Sequence, residues 1–295
     1  MRIFKHRDEK LDRKVGGTVL SLSELRSLPS YDAETISSRN RERFDGAIQT
    51  YHSPNKWHGS DDPKVLADRI AGKWPEGRNN LRKLEQDLTG AATTLGVSDC
   101  RRKIAWADQG DEIDIHRVYS GDLDTAWQTT RRNGTGLAPI VSIVAGWGGH
   151  CGRSHDELFW SGAAALVSAH ILEGAGYSVE ILAASVTRHT FKSVGQCVVA
   201  VRLKNSDTPL ELSSIAATAC FAGTFRTLGL AAMCLQPTVK VTGSYGVPEE
   251  PSAMEVSKWP TEGQPILIDG SYTRETAVAN VRKVLHSVET GVFTD

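Results

Sequence analysis

The residues best equipped for chemistry fall in one short run, Gly146-Trp147-Gly148-Gly149-His150-Cys151-Gly152-Arg153-Ser154-His155-Asp156-Glu157. His150, Cys151, His155 and Asp156 are metal-capable, and a metal held there would draw a fourth ligand from elsewhere in the chain. Cys151 beside His150 and His155 also has the make-up of a nucleophile with a base, because a helix N-terminus lowers a thiol's pKa. The four side chains, as ligands or acid–base groups, describe a metal-assisted hydrolase or transferase built on Gly146 to Asp156. The non-catalytic alternative is a binding loop. Gly146, Trp147, Gly148, Gly149, His150, Arg153 and Ser154 lead into a helix whose free N–H groups suit an anion or a carboxylate. A glycine-rich strand-to-helix turn that binds nothing competes with both. The run lacks the G-x-x-x-x-G-K-[ST] phosphate cradle and the G-x-G-x-x-G spacing, so no nucleotide, and no other cofactor, is called for.

The elements around this run must place it. Pro139 to Ala145 (PIVSIVA) is a continuous apolar stretch of strand length, as expected of a central parallel strand. Ser154 and Glu157 form a capping-box pattern ahead of the apolar helix SGAAALVSAHILEGAG, whose small residues from Gly162 to Ala165 allow close approach to a sheet. Gly174 and Gly176 stop it, and Tyr177 to Ala184 reads as the next strand of a βαβ unit. Gln196 to Leu203 is a third strand, followed by a helix over about Leu210 to Leu228 closed by Gly229. Thr238 to Thr242 and Pro265 to Asp269 are short strands, and the last helix sets Val278, Val281, Leu285 and Val288 on one stripe. The economical fold is α/β: three layers with a doubly wound, mainly parallel, Rossmann-like sheet. In such a sheet a ligand site lies at the carboxyl ends of the strands, where the glycine-rich run falls.

Residues 1–100 read as a helical region and residues 101–295 as the α/β domain. Ser21 and Glu24 form a capping box for a helix stopping near Pro29, and a second helix is expected from Asp32 to Phe44. Pro63, with Asp61 or Asp62 as cap, and Pro75 each open a further helix. Trp57 and Trp74 are packing anchors between these helices or against the later domain. Residues 101–119 read as a hairpin, followed by a short helix through Leu123 and Trp127.

The chain carries 34 Lys and Arg against 35 Asp and Glu, so no global field draws it to nucleic acid or an anionic membrane. The basic runs Arg101-Arg102-Lys103 and Arg131-Arg132 read as solvated surface. Cys100, Cys151, Cys197, Cys220 and Cys234 are widely spread with no C-x-x-C pair, as expected of reduced thiols in a cytoplasmic protein. No apolar window approaches the roughly 18 residues of a membrane span.

The run IVSIVAGWGG…SHDELFWSGAAALVSAHILEGAGYSVEIL, with Ser244-Tyr245-Gly246-Val247-Pro248 later, resembles an uncharacterised family found in phage, plasmid and bacterial genomes and, more distantly, von Willebrand factor A-like domains. The likeness covers roughly Asp111 to Pro248. Metal-binding A domains carry D-x-S-x-S after the first strand, where this chain has Ala145-Gly146-Trp147-Gly148-Gly149, so their metal site does not transfer. The fold outline, together with the missing catalytic motifs, points to a non-enzymatic protein-binding or adaptor protein with a degenerate A-like domain. By analogy alone, a hexameric ATPase of the kind that A-like domains accompany is one partner it suggests.

Overall fold

The computed structural model describes residues 1–8, 13–32, 34, 36–94, 102–107, 112–113, 115–121, 126–132, 139–149, 151–188, 195–235, 247–249, 256–268 and 270–291. In chain order the strands are β1 (Arg2–Asp8), β2 (Arg13–Ser21), β3 (Arg102–Ala107), β4 (Glu112–Ile113), β5 (Trp127–Arg132), β6 (Ile140–Gly146), β7 (Ser178–Arg188), β8 (Gly195–Lys204), β9 (Val247–Glu249) and β10 (Gln264–Ile268). The main helices are α1 (Leu22–Ser27), α2 (Ser38–His52), α3 (Pro63–Ile70), α4 (Pro75–Thr94), α5 (Ile115–Tyr119), α6 (Phe159–Gly174), α7 (Leu212–Cys220), α8 (Ala222–Met233) and α9 (Arg274–Thr290). A π-helical turn, Phe225–Gly229, lies within α8.

The main sheet is mixed, in the order β1-β2-β8-β7-β6-β10, with β9 pairing the far end of β7. The β10–β6, β6–β7 and β2–β8 pairs are parallel; β1–β2, β7–β8 and β7–β9 are antiparallel. The βαβ unit β6–α6–β7 thus follows the sequence expectation, while β8 returns beside β7 in the opposite direction.

Residues 1–21 depart from the helical reading, because β1 and β2 extend the sheet. Gly16 and Gly17 hide this in the sequence, since glycine weakens a strand pattern. Across the β1–β2 ladder Phe4 faces Gly17, and a Cβ on Gly17 would collide with the Phe4 ring. The aromatic ring covers the bare glycine and reaches Trp259 at 6.4 Å between centroids. The helix starts are as read. Ser21 and Glu24 close a reciprocal capping box on α1, and Asp62 accepts from Lys64 and Val65 N–H groups with Pro63 in the first turn of α3. The helix read at Asp32 to Phe44 instead spans Ser38–His52.

The expected hairpin at 101–119 is a three-stranded arrangement. β3 and β4 both pair with β5, where a helix through Trp127 was expected, and the helix of this region is α5. The strand expected at Thr238 to Thr242 lies outside the described residues, as do Asp269 and most of Ser244 to Pro248.

One sheet face carries Val141, Ile143, Ala145, Val179, Ile181, Ala183, Cys197, Val199 and Val201, and α1–α4 and α6–α9 contribute to that same core. The N-terminal helices therefore share the core of the later elements; Trp74, for example, packs against Phe159 and Phe221 at 6.1 and 5.4 Å. The opposite face, with Val144, Leu182, Ala184, Val198 and Ala200, is covered by Val256 and Trp259. The three-layer reading placed helices on both faces; these eight lie on one. Gly162 serves helix–helix contact, since a Cβ there would strike the carbonyl of Ala219 on α7. Gly229, read as a helix stop, sits inside α8 with φ −63° and makes room for the Trp147 ring.

A buried polar network pins the covering segment. Glu180 on β7 is fully buried; it accepts from Ser142 Oγ (2.5 Å) and from the N–H of Glu262 (2.7 Å), and it pairs with Arg202 Nε at 2.8 Å. Among the described residues no single helix is long and apolar enough to cross a membrane. The bent pair Leu212–Cys220 and Ala222–Met233 passes by length and composition, but its residues line the core here.

Candidate functional site

β6 ends at Gly146, and the chain leaves the sheet with the Trp147 N–H still donating to Ala184 O at 2.7 Å. Trp147 then turns inward and packs edge-on against Phe225 at 5.3 Å. Gly148 has φ +92°, a conformation open chiefly to glycine, and a side chain there would meet the Phe225 ring. Gly149 lies under Leu158 and beside Tyr272. The glycines are thus required by the aromatic packing beneath the loop. His150 falls outside the described residues.

The outer part of the loop is fastened from three directions. Trp57 Nε1 donates to Cys151 O (2.9 Å), Arg226 Nη2 donates to Arg153 O (2.5 Å), and the Arg153 guanidinium lies 4.0 Å over the Tyr272 ring. Arg153 also pairs with Glu157 at 2.9 Å. Ser154 and Glu157 form their reciprocal pair, but α6 begins only at Phe159, so the box closes a turn ahead of the helix. Hydrogen bonds from the Ser154 N–H and from Arg153 hold the Glu157 carboxyl below the usual carboxylate range. That carboxylate therefore occupies the Ser154 N–H.

Cys151 is exposed, and His155 Nε2 lies 3.5 Å from Asp156 Oδ1 on the open surface. Among the described residues no three His, Cys, Asp or Glu side chains gather in a way that could hold a metal ion. Trp57 is 39% exposed and stands at the rim of the loop.

Sequence reasoning missed Arg226. It is 3% exposed, the one charged residue between Leu212 and Leu235, and it sits in the π-helical turn. Such turns recur at functional sites. Its Nη1 donates to Trp57 O and its guanidinium lies 4.2 Å over the Trp57 ring. Burial lowers its pKa to about 10, and the nearby Cys151 opposes that shift. His58, also 3% exposed, has its Nδ1 3.1 Å from the Asn55 N and 3.2 Å from the Asn55 O, and its Nε2 has no hydrogen-bond partner among the described residues. Burial, opposed by the hydrogen bond to the Asn55 backbone and reinforced by Arg226, lowers the His58 pKa. The signal was present as a lone arginine in an otherwise uncharged helical run.

The chain matches the model of a domain of unknown function, DUF7192, over residues 19–290, and it belongs to that family. No curated protein and no solved structure matches it.

Proposed function

We propose that this DUF7192 protein is a non-enzymatic, cytoplasmic protein-binding or adaptor protein. It presents the rim formed by Trp57 and the loop from Gly146 to Asp156 to another protein. The observation that carries this reading is Trp57. Its ring is half exposed, clamped on one face by the Arg226 guanidinium and tied through Nε1 to Cys151 O. A rigid aromatic side chain beside arginine is the type of residue that dominates protein interfaces, and a surface fixed in advance loses little entropy on binding. In this reading the succession β6, loop, α6, β7 is the part that resembles an A-type domain. Without the D-x-S-x-S carboxylate, recognition runs through side chains, and an ATPase remains a partner suggested by fold analogy.

The test is a quantitative pull-down of the full chain from its native host, wild type against the double variant Gly149→Asp, His150→Ala. The side chain added at Gly149 pushes on Leu158 and Tyr272 beneath the loop. A stoichiometric protein retained by the wild type and lost by the variant supports the reading. Retention of no protein, or equal retention by both, overturns it.

A further inference from the structure

The register of the small sheet assembles a charge cluster that the sequence leaves in two separate runs. In the antiparallel β3–β5 ladder Arg102 lies opposite Arg132 and Lys103 lies opposite Arg131, so four cations occupy two adjacent cross-strand pairs. Like charges directly opposite one another destabilise a sheet, whereas opposite charges would support it. Glu112, the one acidic residue of β3, β4 and β5, is level with Gln128. That is four positions, or about 13 Å, along β5 from Arg132. The cations therefore gather at one end of the sheet, out of reach of a direct pair with that carboxylate. The chain's balance of 34 Lys and Arg against 35 Asp and Glu conceals this local excess. A pairing that repels in the free protein is one that a bound polyanion relieves.

We propose that this end of the small sheet is a binding surface for single-stranded nucleic acid, with Arg102, Lys103, Arg131 and Arg132 neutralising successive phosphodiesters. The surface is separate from the protein-binding rim at Trp57 and does not depend on that reading. Charge complementarity selects the occupant, because cations at four neighbouring register positions match a chain of anions better than a single one. The two-residue alternation of a strand places Arg102, Ile104 and Trp106 on one face of β3, level with Arg132, Thr130 and Gln128 of β5. A tryptophan four residues from the arginine pair on the same face adds an aromatic platform for an unpaired base, and cations with such a platform are the combination that single-strand binders use. In a duplex the bases stack on one another and offer the tryptophan no free face. A sulfated polysaccharide would use the charges and leave the tryptophan idle.

Binding is measured by fluorescence anisotropy of a labelled oligothymidylate of about twelve nucleotides, within the usual span of one single-strand site. It is titrated with the full chain over a range of salt concentrations. With four phosphates neutralised, the logarithm of the affinity should fall against the logarithm of salt with a slope of about −2.8. Arg131→Gln with Arg132→Gln should weaken binding about tenfold or more and bring the slope to about −1.4. Trp106→Leu should weaken binding with the slope unchanged, because stacking releases no counterion. Lys64→Gln with Lys83→Gln, at two exposed lysines of α3 and α4, makes the same change in net charge and should bind as wild type does. The arginine variant should melt no lower than wild type, since it relieves the cross-strand repulsion. If it does not fold, Lys103→Gln stands in, with an expected slope of about −2.1. Absence of binding by the wild type at low salt overturns the inference, as does equal affinity in the folded charge variant or an equal loss in the lysine control. Competition by a duplex or by heparin as effective as that by unlabelled oligothymidylate also overturns it.

Discussion

Arg226 lies 4.2 Å over the ring of Trp57 and donates to the carbonyl of that same residue, so one guanidinium fixes both the side chain and the backbone of the turn. Through Nη2 it also holds Arg153 O, and thereby joins α8, the turn at Asn55–Gly59 and the loop after β6. Arg226→Lys keeps the charge but loses the planar fork and the stacking, leaving at least one carbonyl unanswered. The expected cost is about 1–3 kcal/mol, read as a lower urea midpoint with an unchanged slope, together with faster proteolysis in the loop. An unchanged midpoint would show that the guanidinium does not tie these segments.

The described cysteines should divide by reactivity. Burial pushes the Cys197 and Cys234 thiols up to about 12 and raises Cys220 further, so all three stay protonated at neutral pH. Cys151 is exposed. Native protein should therefore take iodoacetamide at Cys151 while Cys197, Cys220 and Cys234 react only after denaturation. Labelling of Cys197 in native protein at a rate like that of Cys151 would contradict the packing of β8.

Gly162→Ala tests the seam between α6 and α7. Alanine is intrinsically the better helix former by about 1 kcal/mol, yet its methyl would press on the Ala219 carbonyl. Sterics should win, because backbone cannot move aside as a side-chain tip does, and the variant should lose about 1–3 kcal/mol. A rise in Tm would mean that the helices are not in such close contact.

The acid limb of stability should depend on Glu262. Burial alone would raise its carboxyl, but bonds from the Ser206 hydroxyl and N–H, with Arg202 and Lys204 nearby, outweigh burial and hold it below 4.5. A carboxylate whose folded pKa is depressed contributes stability above its unfolded value and loses it as pH falls through the folded value. Glu262→Gln should flatten the decline in Tm below about pH 4.5 while leaving the profile above it parallel to wild type. An identical acid limb in both proteins would remove Glu262 from this role.

The sequence made β6, α6 and β7 legible because an uninterrupted apolar strand, a small-residue helix and glycine stops each leave local signatures. The caps at Ser21 and Asp62 were readable for the same reason, as was the Ser154–Glu157 pair, although α6 starts only at Phe159. β2 was not, since Gly16 and Gly17 break its pattern and the covering ring of Phe4 comes from another strand. The direction of β8 depends on the seven-residue tie to β7 beyond local periodicity, along the antiparallel register from Leu182↔Arg202 to Arg188↔Gln196. At the site, the loop was legible from its glycines, whereas its anchors Trp57, Arg226 and Tyr272 lie far off in sequence and meet it only through folding.

The most direct test of the central claim is titration calorimetry of the purified host partner against wild type, Trp57→Ala and Tyr119→Ala, the last being an 87% exposed residue on α5. The account predicts that Trp57→Ala weakens binding by about 2 kcal/mol or more while Tyr119→Ala matches wild type. Equal affinity for wild type and Trp57→Ala, with both proteins folded, would contradict it.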